Sequence, residues 1–377
     1  MTAVSTASAY ADFKKSAYFP SLNGIRAICA ILVIKHHAFW QISAAPRIFE
    51  WGFLGVDMFF VISGFLIVTL LLRERDRTGR IALKDFYVRR TLRIFPVYYL
   101  VIAFLLLLAV GTYRYSTKTW DLYKWSFPVF LLYLQDLVPV SMGLMYHTWS
   151  LAMEEQFYLI WPSVERYFRR SLIIPTLLIL VGINQLCNFG YFANILTSIF
   201  GPDGPIRPMF LITFTPILLG VLAAHIMHHP RGGLVLTGLL RNRWVPALCL
   251  ALAALVCEYS SQLQGVARLC VHVLFCLALL GMIVNPRGVF SRFLQSRILF
   301  YLGSISYGIY LYHAFVIWAV SRLCESRGIA LAPFQVFLLV TPITIAIAAL
   351  SFRYFESPIM RLRRHKSASV LPEAVSV

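Results

Sequence analysis

Apolar residues run along this chain in blocks of about twenty, and the polar residues gather between the blocks. A helix of that length crosses the hydrocarbon core of a bilayer. The pattern therefore predicts an all-α integral membrane protein with about ten transmembrane helices. The expected spans are Leu22 to Trp40, Phe53 to Leu72, Leu92 to Val110, Thr148 to Phe168 and Leu172 to Phe192, then Pro208 to Met227, Val245 to Tyr259, Val266 to Val284, Ile298 to Val320 and Phe334 to Phe352. A further apolar stretch, Trp125 to Val140, is interrupted by Pro128 and Gln135 and reads as an interfacial or re-entrant segment on the outer side.

Lys and Arg sort sharply between the two sets of loops. With the N-terminus cytoplasmic, 24 of them fall on the inner side and eight on the outer side, while Arg26 and Lys35 lie inside the first span. That bias places both termini in the cytoplasm. Residues 1–20 then form a cytoplasmic N-terminal segment, 21–360 a transmembrane domain and 361–377 a cytoplasmic tail. The expected location is the cell (inner or plasma) membrane.

Composition agrees and removes some classes. The chain is 59% hydrophobic and 13% charged, whereas soluble domains are about half apolar and about a quarter charged. The net charge of +18 would suggest nucleic acid in a soluble protein; here it follows from basic cytoplasmic loops, and no nucleic-acid partner is expected. The seven cysteines lie mostly in apolar runs, without CxxC or Cys/His metal spacing. They read as small buried hydrophobes, and no metal site is expected. No convincing cleavage site marks a signal peptide.

Ionisable residues inside apolar spans are costly and point to function. Arg26 and His37 in the first span are eleven positions apart, about three helical turns, so they share a face roughly 16 Å apart. One elongated ligand would fit, with an anionic head near Arg26 and a reactive end near His37. Arg26 also fits a snorkelling anchor, and His37 an interfacial helix end beside His36. Asp57, near the outer end of the second span, sits at a depth similar to His37, where a carboxylate can orient an imidazole; a structural bond to Lys35 or Arg47 is the other reading. Arg90 and Arg93 share a face at the entry to the third span. They can hold phosphate or simply supply positive-inside charge and meet anionic lipid.

The fourth span opens with Trp149, Ser150, Glu154, Glu155, Gln156 and Tyr158. Ser150, Glu154 and Tyr158 lie on one face, so Glu154 could place an acceptor hydroxyl or hold His37. Favourable placement of acids at a helix N-terminus accounts for one Glu better than for two and a Gln. In the ninth span Ser306, Tyr310 and His313 make a polar stripe that lines a cavity or glues helices together. Small Ser63 and Gly64 suit close helix packing, and Phe352 to Pro358 holds a local charge pair with a structural role.

Taken together, these segments resemble the membrane-bound acyltransferase 3 family. The matching stretches are Ser21 to Arg26 with His36-His37, Gly55 to Leu66, Arg90 with Arg93 through Phe95-Pro96, Trp149-Ser150-Leu151 with Glu154 to Tyr158, Ser306-Tyr307 to His313, and Tyr354 to Pro358. They occur in the family's order over nearly the whole chain. Asn23 stands where many members have Asp, and Met58 departs from the usual run after Asp57. The resemblance implies about ten core helices and acyl transfer from a cytoplasmic acyl-CoA to glycans, lipids or peptidoglycan. A chain of this kind looks most like the exopolysaccharide O-acetyltransferases.

The expected chemistry is then transfer of an acyl group, acetyl in the first place, from acetyl-CoA or another acyl-CoA to a hydroxyl of a cell-surface or exported carbohydrate or glycolipid acceptor. Arg26, Arg90 and Arg93 would hold the CoA phosphates. His37 would be the base, with Asp57 or Glu154 orienting it. Trp149, Ser150, Tyr310 and His313 are the candidate acceptor-binding residues. Membrane lipids are the remaining partners. The rival reading is a transporter or flippase, which would also use intramembrane Arg, His, Asp and Glu; no inverted repeat is visible to support it.

Overall fold

The second expected span becomes the centre of a helical bundle. The computed structural model describes residues 5–16, 18–39, 50–113, 117–137, 143–189, 191, 195, 198, 214–260 and 263–361, and among these no strand occurs. The helices in order are α1 (Thr6–Lys15), α2 (Ser21–Ala38), α3 (Leu54–Thr78), α4 (Leu83–Tyr113) and α5 (Thr117–Leu131). A 3-10 turn, Gly143–Thr148, leads into α6 (Trp149–Tyr167), followed by α7 (Arg170–Asn188), α8 (Thr215–His228), α9 (Pro230–Leu240) and α10 (Val245–Tyr259). Then come α11 (Gly265–Val284), α12 (Val289–Leu294), α13 (Arg297–Ser304), α14 (Ser306–Ser326) and α15 (Pro333–Ser351). A π turn, Phe352–Glu356, passes into α16 (Ser357–Arg361).

Burial separates the roles of the helices. The most apolar window of α3 is 83% buried, while that of the segment Pro333–Arg361 is 17% buried. The first is packed on all sides by protein; the second presents its apolar surface outward, as a lipid-facing helix does. Small residues let backbones meet around α3. A Cβ on Gly64 would collide with the Ile217 carbonyl of α8, and one on Gly220 with the Val61 carbonyl of α3. That mutual contact is the small-residue packing expected of Gly64. At one end α1 is fastened to α3 by Arg73, which donates to the backbone carbonyls of Ser16 and Phe13 and lies over the rings of Phe13 and Phe19.

The described residues carry part of the expected set of ten spans. Among the described residues five helices are long and apolar enough to cross a membrane, or seven if each of two sharply bent pairs counts as one span. The chain is a multi-pass membrane protein on that basis. Helices α2 and α6 exist where the first and fourth spans were expected but are not apolar enough; each carries the ionisable residues described above. Helix α8 is short, and the expected start of that span at Pro208 lies outside the described residues, as do Arg47 and the tail beyond Arg361. Helices α9 and α10 bend by 78°, so the stretch around Arg231 is helical where a loop was expected. The ninth span is broken: α13 and α14 meet at 71° about Ile305. The local sequence Gly303-Ser304-Ile305-Ser306 offers small residues that tolerate such a break.

The stretch after α5 folds back on its neighbours. Tyr98 and Tyr99 of α4 donate to the carbonyls of Phe130 and Leu131 at 2.9 and 3.0 Å. Tyr133 takes a left-handed backbone, φ 54°, and stacks on Tyr98 with ring centroids 4.2 Å apart. Gln156 of α6 donates to the Tyr133 carbonyl and to Asp136 Oδ1, at 2.9 and 2.7 Å. The Gln of the Glu-Glu-Gln run therefore secures this turn. Residues 138–142 lie outside the described part.

Candidate active site

Helices α2, α3, α4, α6 and α14 enclose a cavity of about 90 Å³. Its polar wall is Arg26 from α2, Ser63 from α3, Arg90 and Arg93 from α4, Ser150, Glu154 and Tyr158 from α6, and Ser306, Tyr307 and Tyr310 from α14. The three candidate arginines thus come together from two helices. Among the described residues none of them forms an ion pair or donates a hydrogen bond. Arg90 lies over the Tyr158 ring at 4.7 Å, which fixes the side chain without using its N–H groups.

Three carboxylates are in electrostatic reach but outside ion-pair distance: Glu154 of Arg26, Glu155 of Arg90 and Glu356 of Arg93. Glu154 Oε1 accepts from Ser63 at 2.5 Å, and Tyr158 donates to the same Ser63 oxygen at 3.0 Å. Glu356 Oε1 accepts from Ser351 at 3.0 Å. The broken span adds to the anion-favouring character. Helix α14 begins at Ser306 on the cavity wall, and the first N–H groups of a helix are unsatisfied within it and favour negative charge. Tyr307 anchors this start by donating to the Ile94 carbonyl at 3.0 Å.

At the other extreme of the cavity, Ser150 and Tyr310 share a hydrogen bond of 2.6 Å, and Tyr310 also donates to the His147 carbonyl. Behind Tyr310 stand three histidines. The His313 ring lies 4.7 Å from His147 and 4.9 Å from His37, centroid to centroid. They come from the 3-10 turn, α14 and the end of α2. His37 Nδ1 lies 2.9 Å from the Val33 carbonyl and 3.2 Å from His313 Nε2. No group of three or more His, Cys, Asp or Glu suited to a metal ion occurs among the described residues.

Several expectations are corrected by this geometry. Asp57 does not pair with His37. Its carboxylate is 1% exposed and takes Arg268 through two nitrogen–oxygen contacts of 3.1 Å and His272 at 2.8 Å, both from α11. Glu154 does not hold His37 either, since Ser63 is its partner. Ser63 is therefore a hydrogen-bonding residue as well as a small one. His313 is completely buried and absent from the cavity wall, so it presents nothing to an acceptor in this conformation. Trp149 is also off the wall, with its ring 6.2 Å from Phe60. Ser150 and Tyr310 do reach the cavity.

Sequence reasoning missed Arg268, His272, His147 and Tyr307. The signal for the first two was available: Arg268 and His272 are four apart at the start of an apolar helix, hence on one face, and an acid inside a span needs such a partner. His147 precedes the fourth span and carried no periodic signal.

Outside the candidate spans, burial pushes the Asp136 carboxyl up to about 6, against the opposing hydrogen bond from Gln156.

Comparison with known proteins now settles the family. The family described as an acyltransferase domain matches residues 19–353. The chain belongs to the acyltransferase 3 family. Among curated relatives, the peptidoglycan O-acetyltransferase OatA of Listeria monocytogenes is 30% identical over 374 residues, covering 91% of this chain and 56% of the relative. The O-acetyltransferase OatA of Staphylococcus aureus is 28% identical over 387 residues, covering 95% of this chain and 60% of the relative. The chain thus spans little more than half the length of these curated relatives. No solved structure matches it significantly.

Proposed function

We propose that this acyltransferase 3 chain moves an acetyl group from acetyl-CoA to a hydroxyl of a cell-envelope glycan. The observation that carries the reading is the cavity wall on which Arg26, Arg90 and Arg93 converge with their hydrogen-bond donors unspent. Guanidinium groups match phosphate oxygens in pairs, and the start of α14 adds its own N–H groups. A CoA diphosphate would use these donors. The named relatives act as O-acetyltransferases, one of them on peptidoglycan, so the glycan is better sought in the cell wall than among the exopolysaccharides that the sequence suggested.

In this reading both termini face the cytoplasm, as the Lys/Arg bias implies, and the arginines open to that side. The separation of Arg26 and His37, roughly 16 Å for about three turns of α2, leaves room for the pantetheine arm. The Ser150–Tyr310 hydrogen bond lies at the histidine end of the cavity, and the thioester reaches His37 when it opens. The acceptor oxygen then attacks the thioester carbonyl while His37 Nε2 takes its proton. The C–S bond breaks, and the thiolate leaves as CoA after taking the proton back from the imidazolium.

The direct test is equilibrium binding and turnover of acetyl-CoA by the purified protein in nanodiscs, wild type beside Arg26→Ala and His37→Ala. The proposal expects binding by wild type, binding weakened about tenfold to a hundredfold by Arg26→Ala, as for loss of hydrogen bonds to a charged group, and turnover lost with His37→Ala while binding stays. Absence of acetyl-CoA binding by wild type would remove the donor and favour a carrier.

A further inference from the structure

We infer that His313 is a positioning residue: its Nε2 accepts the Nδ1–H of His37 and so directs the basic lone pair of His37, on Nε2, away from the histidine cluster. The inference rests on the proposed role of His37 as base and concerns how that base is held.

The tautomers follow from the partners. A nitrogen facing a carbonyl oxygen at hydrogen-bond distance must carry a proton, because a lone pair there would face another lone pair. His313 Nδ1 faces the Tyr310 carbonyl. It is therefore the N–H, and neutral His313 has its free lone pair on Nε2. That atom lies 3.2 Å from His37 Nδ1, which also faces the Val33 carbonyl at 2.9 Å. His37 Nδ1–H is thus shared between two acceptors, and no described residue takes up its Nε2.

Reversing the His37 tautomer would turn two attractions into two lone-pair contacts. Val33 alone could select the tautomer, but it belongs to the same helix as His37 and leaves the ring free to swing. His313, from α14, supplies the second point that fixes the ring plane. When His37 gains a proton at Nε2, its Nδ1–H becomes charge-assisted, and the chain from His37 through His313 to the Tyr310 carbonyl strengthens together. An aspartate does this work in many histidine-dependent enzymes. Here Asp57 is committed to Arg268 and His272, and a neutral imidazole takes its place. His313, with no exposed surface, can act on the reaction only through His37.

The test uses His313→Gln, His313→Phe and His37→Ala in the full chain, with kcat and KM for acetyl-CoA turnover. The Gln amide oxygen can stand where Nε2 stands and accept from His37; Phe fills the space and accepts nothing. The expected result is a fall in kcat of about a hundredfold for His313→Phe, within the range for acid–base contributions, with KM unchanged, and recovery of most of that loss in His313→Gln. Full kcat in His313→Phe, or equal losses in both His313 variants, would overturn the inference. An ¹⁵N spectrum of histidine-labelled wild type gives an answer that needs no variant to fold. A protonated Nδ1 on His37 supports the arrangement, and a protonated Nε2 with bare Nδ1 refutes it. If His37→Ala keeps its turnover, the base assignment fails, while the spectrum still decides the tautomer.

Discussion

Two groups of charge inside the bundle are built on opposite plans. Around Asp57 every carboxylate oxygen is taken, by Arg268 and His272. Around the cavity Arg26, Arg90 and Arg93 keep their donors unspent, and the glutamates in reach are held by serine hydroxyls or stand apart. Both groups are expensive to keep away from water. The first recovers its cost internally and ties α3 to α11. The second would recover it on binding the anion proposed above. An apolar span that contains a charge therefore signals function or architecture according to whether the charge is already satisfied.

The sharpest way to break this contrast is to exchange the outcomes. Asp57→Ala should destabilise the protein by about 3 kcal/mol, because it leaves a half-buried guanidinium and the buried His272 without their shared partner; thermal unfolding in detergent measures this, and a variant as stable as wild type would make the cluster dispensable to the fold. Arg93→Ala should do the reverse. Acetyl-CoA binding should weaken by about tenfold to a hundredfold with the melting temperature unchanged or raised, since a charge without a partner has been removed. A smaller effect is expected of Ser63→Ala. Losing the hydroxyl that Glu154 and Tyr158 share should cost about 1 kcal/mol of stability and be read in the same unfolding experiment.

Asp136 lies between the two plans, a buried carboxyl with one side-chain donor. Its pKa is raised in the folded chain to about 6, above the unfolded value of about 4. Its contribution to stability is present below the unfolded value and is lost as pH rises through about 6. Unfolding followed from pH 4 to 8 should show that loss, and Asp136→Asn should flatten it. Least of all should change with Arg322→Ala. Its pair with Glu325 is two-thirds exposed on both sides, and such pairs contribute about 0–1 kcal/mol.

The sequence made some of this legible and hid the rest for physical reasons. Apolar length found the helices that face outward, such as α15, because lipid contact demands an unbroken apolar surface. It does not by itself mark α2 and α6 as spans. In α2 and α6 the charges that mark function are the same charges that lower hydropathy. The break at Ile305 was invisible, since a bend leaves the apolar count of the ninth span unchanged. Arg26, Arg90 and Arg93 were found individually from their place at span entries, and the structure brings them to one wall. Asp57 was recognised as unusual but given the wrong partner. Arg268 and His272 lie more than two hundred positions further along the chain, beyond any local periodicity. The tautomer relay at His37 depends on ring orientation, which no pattern of residue types encodes.

The close approach of α3 and α8 at Gly64 and Gly220 bears on how cargo could cross the bundle. Backbones this close interlock at carbonyl level, so α3 and α8 are packed as one septum rather than as two separate panels. A carrier built on that septum would have little to swing. A transferase needs no such travel: in the proposed reaction the two reactants approach from opposite faces of the wall, and only the acyl group has to cross.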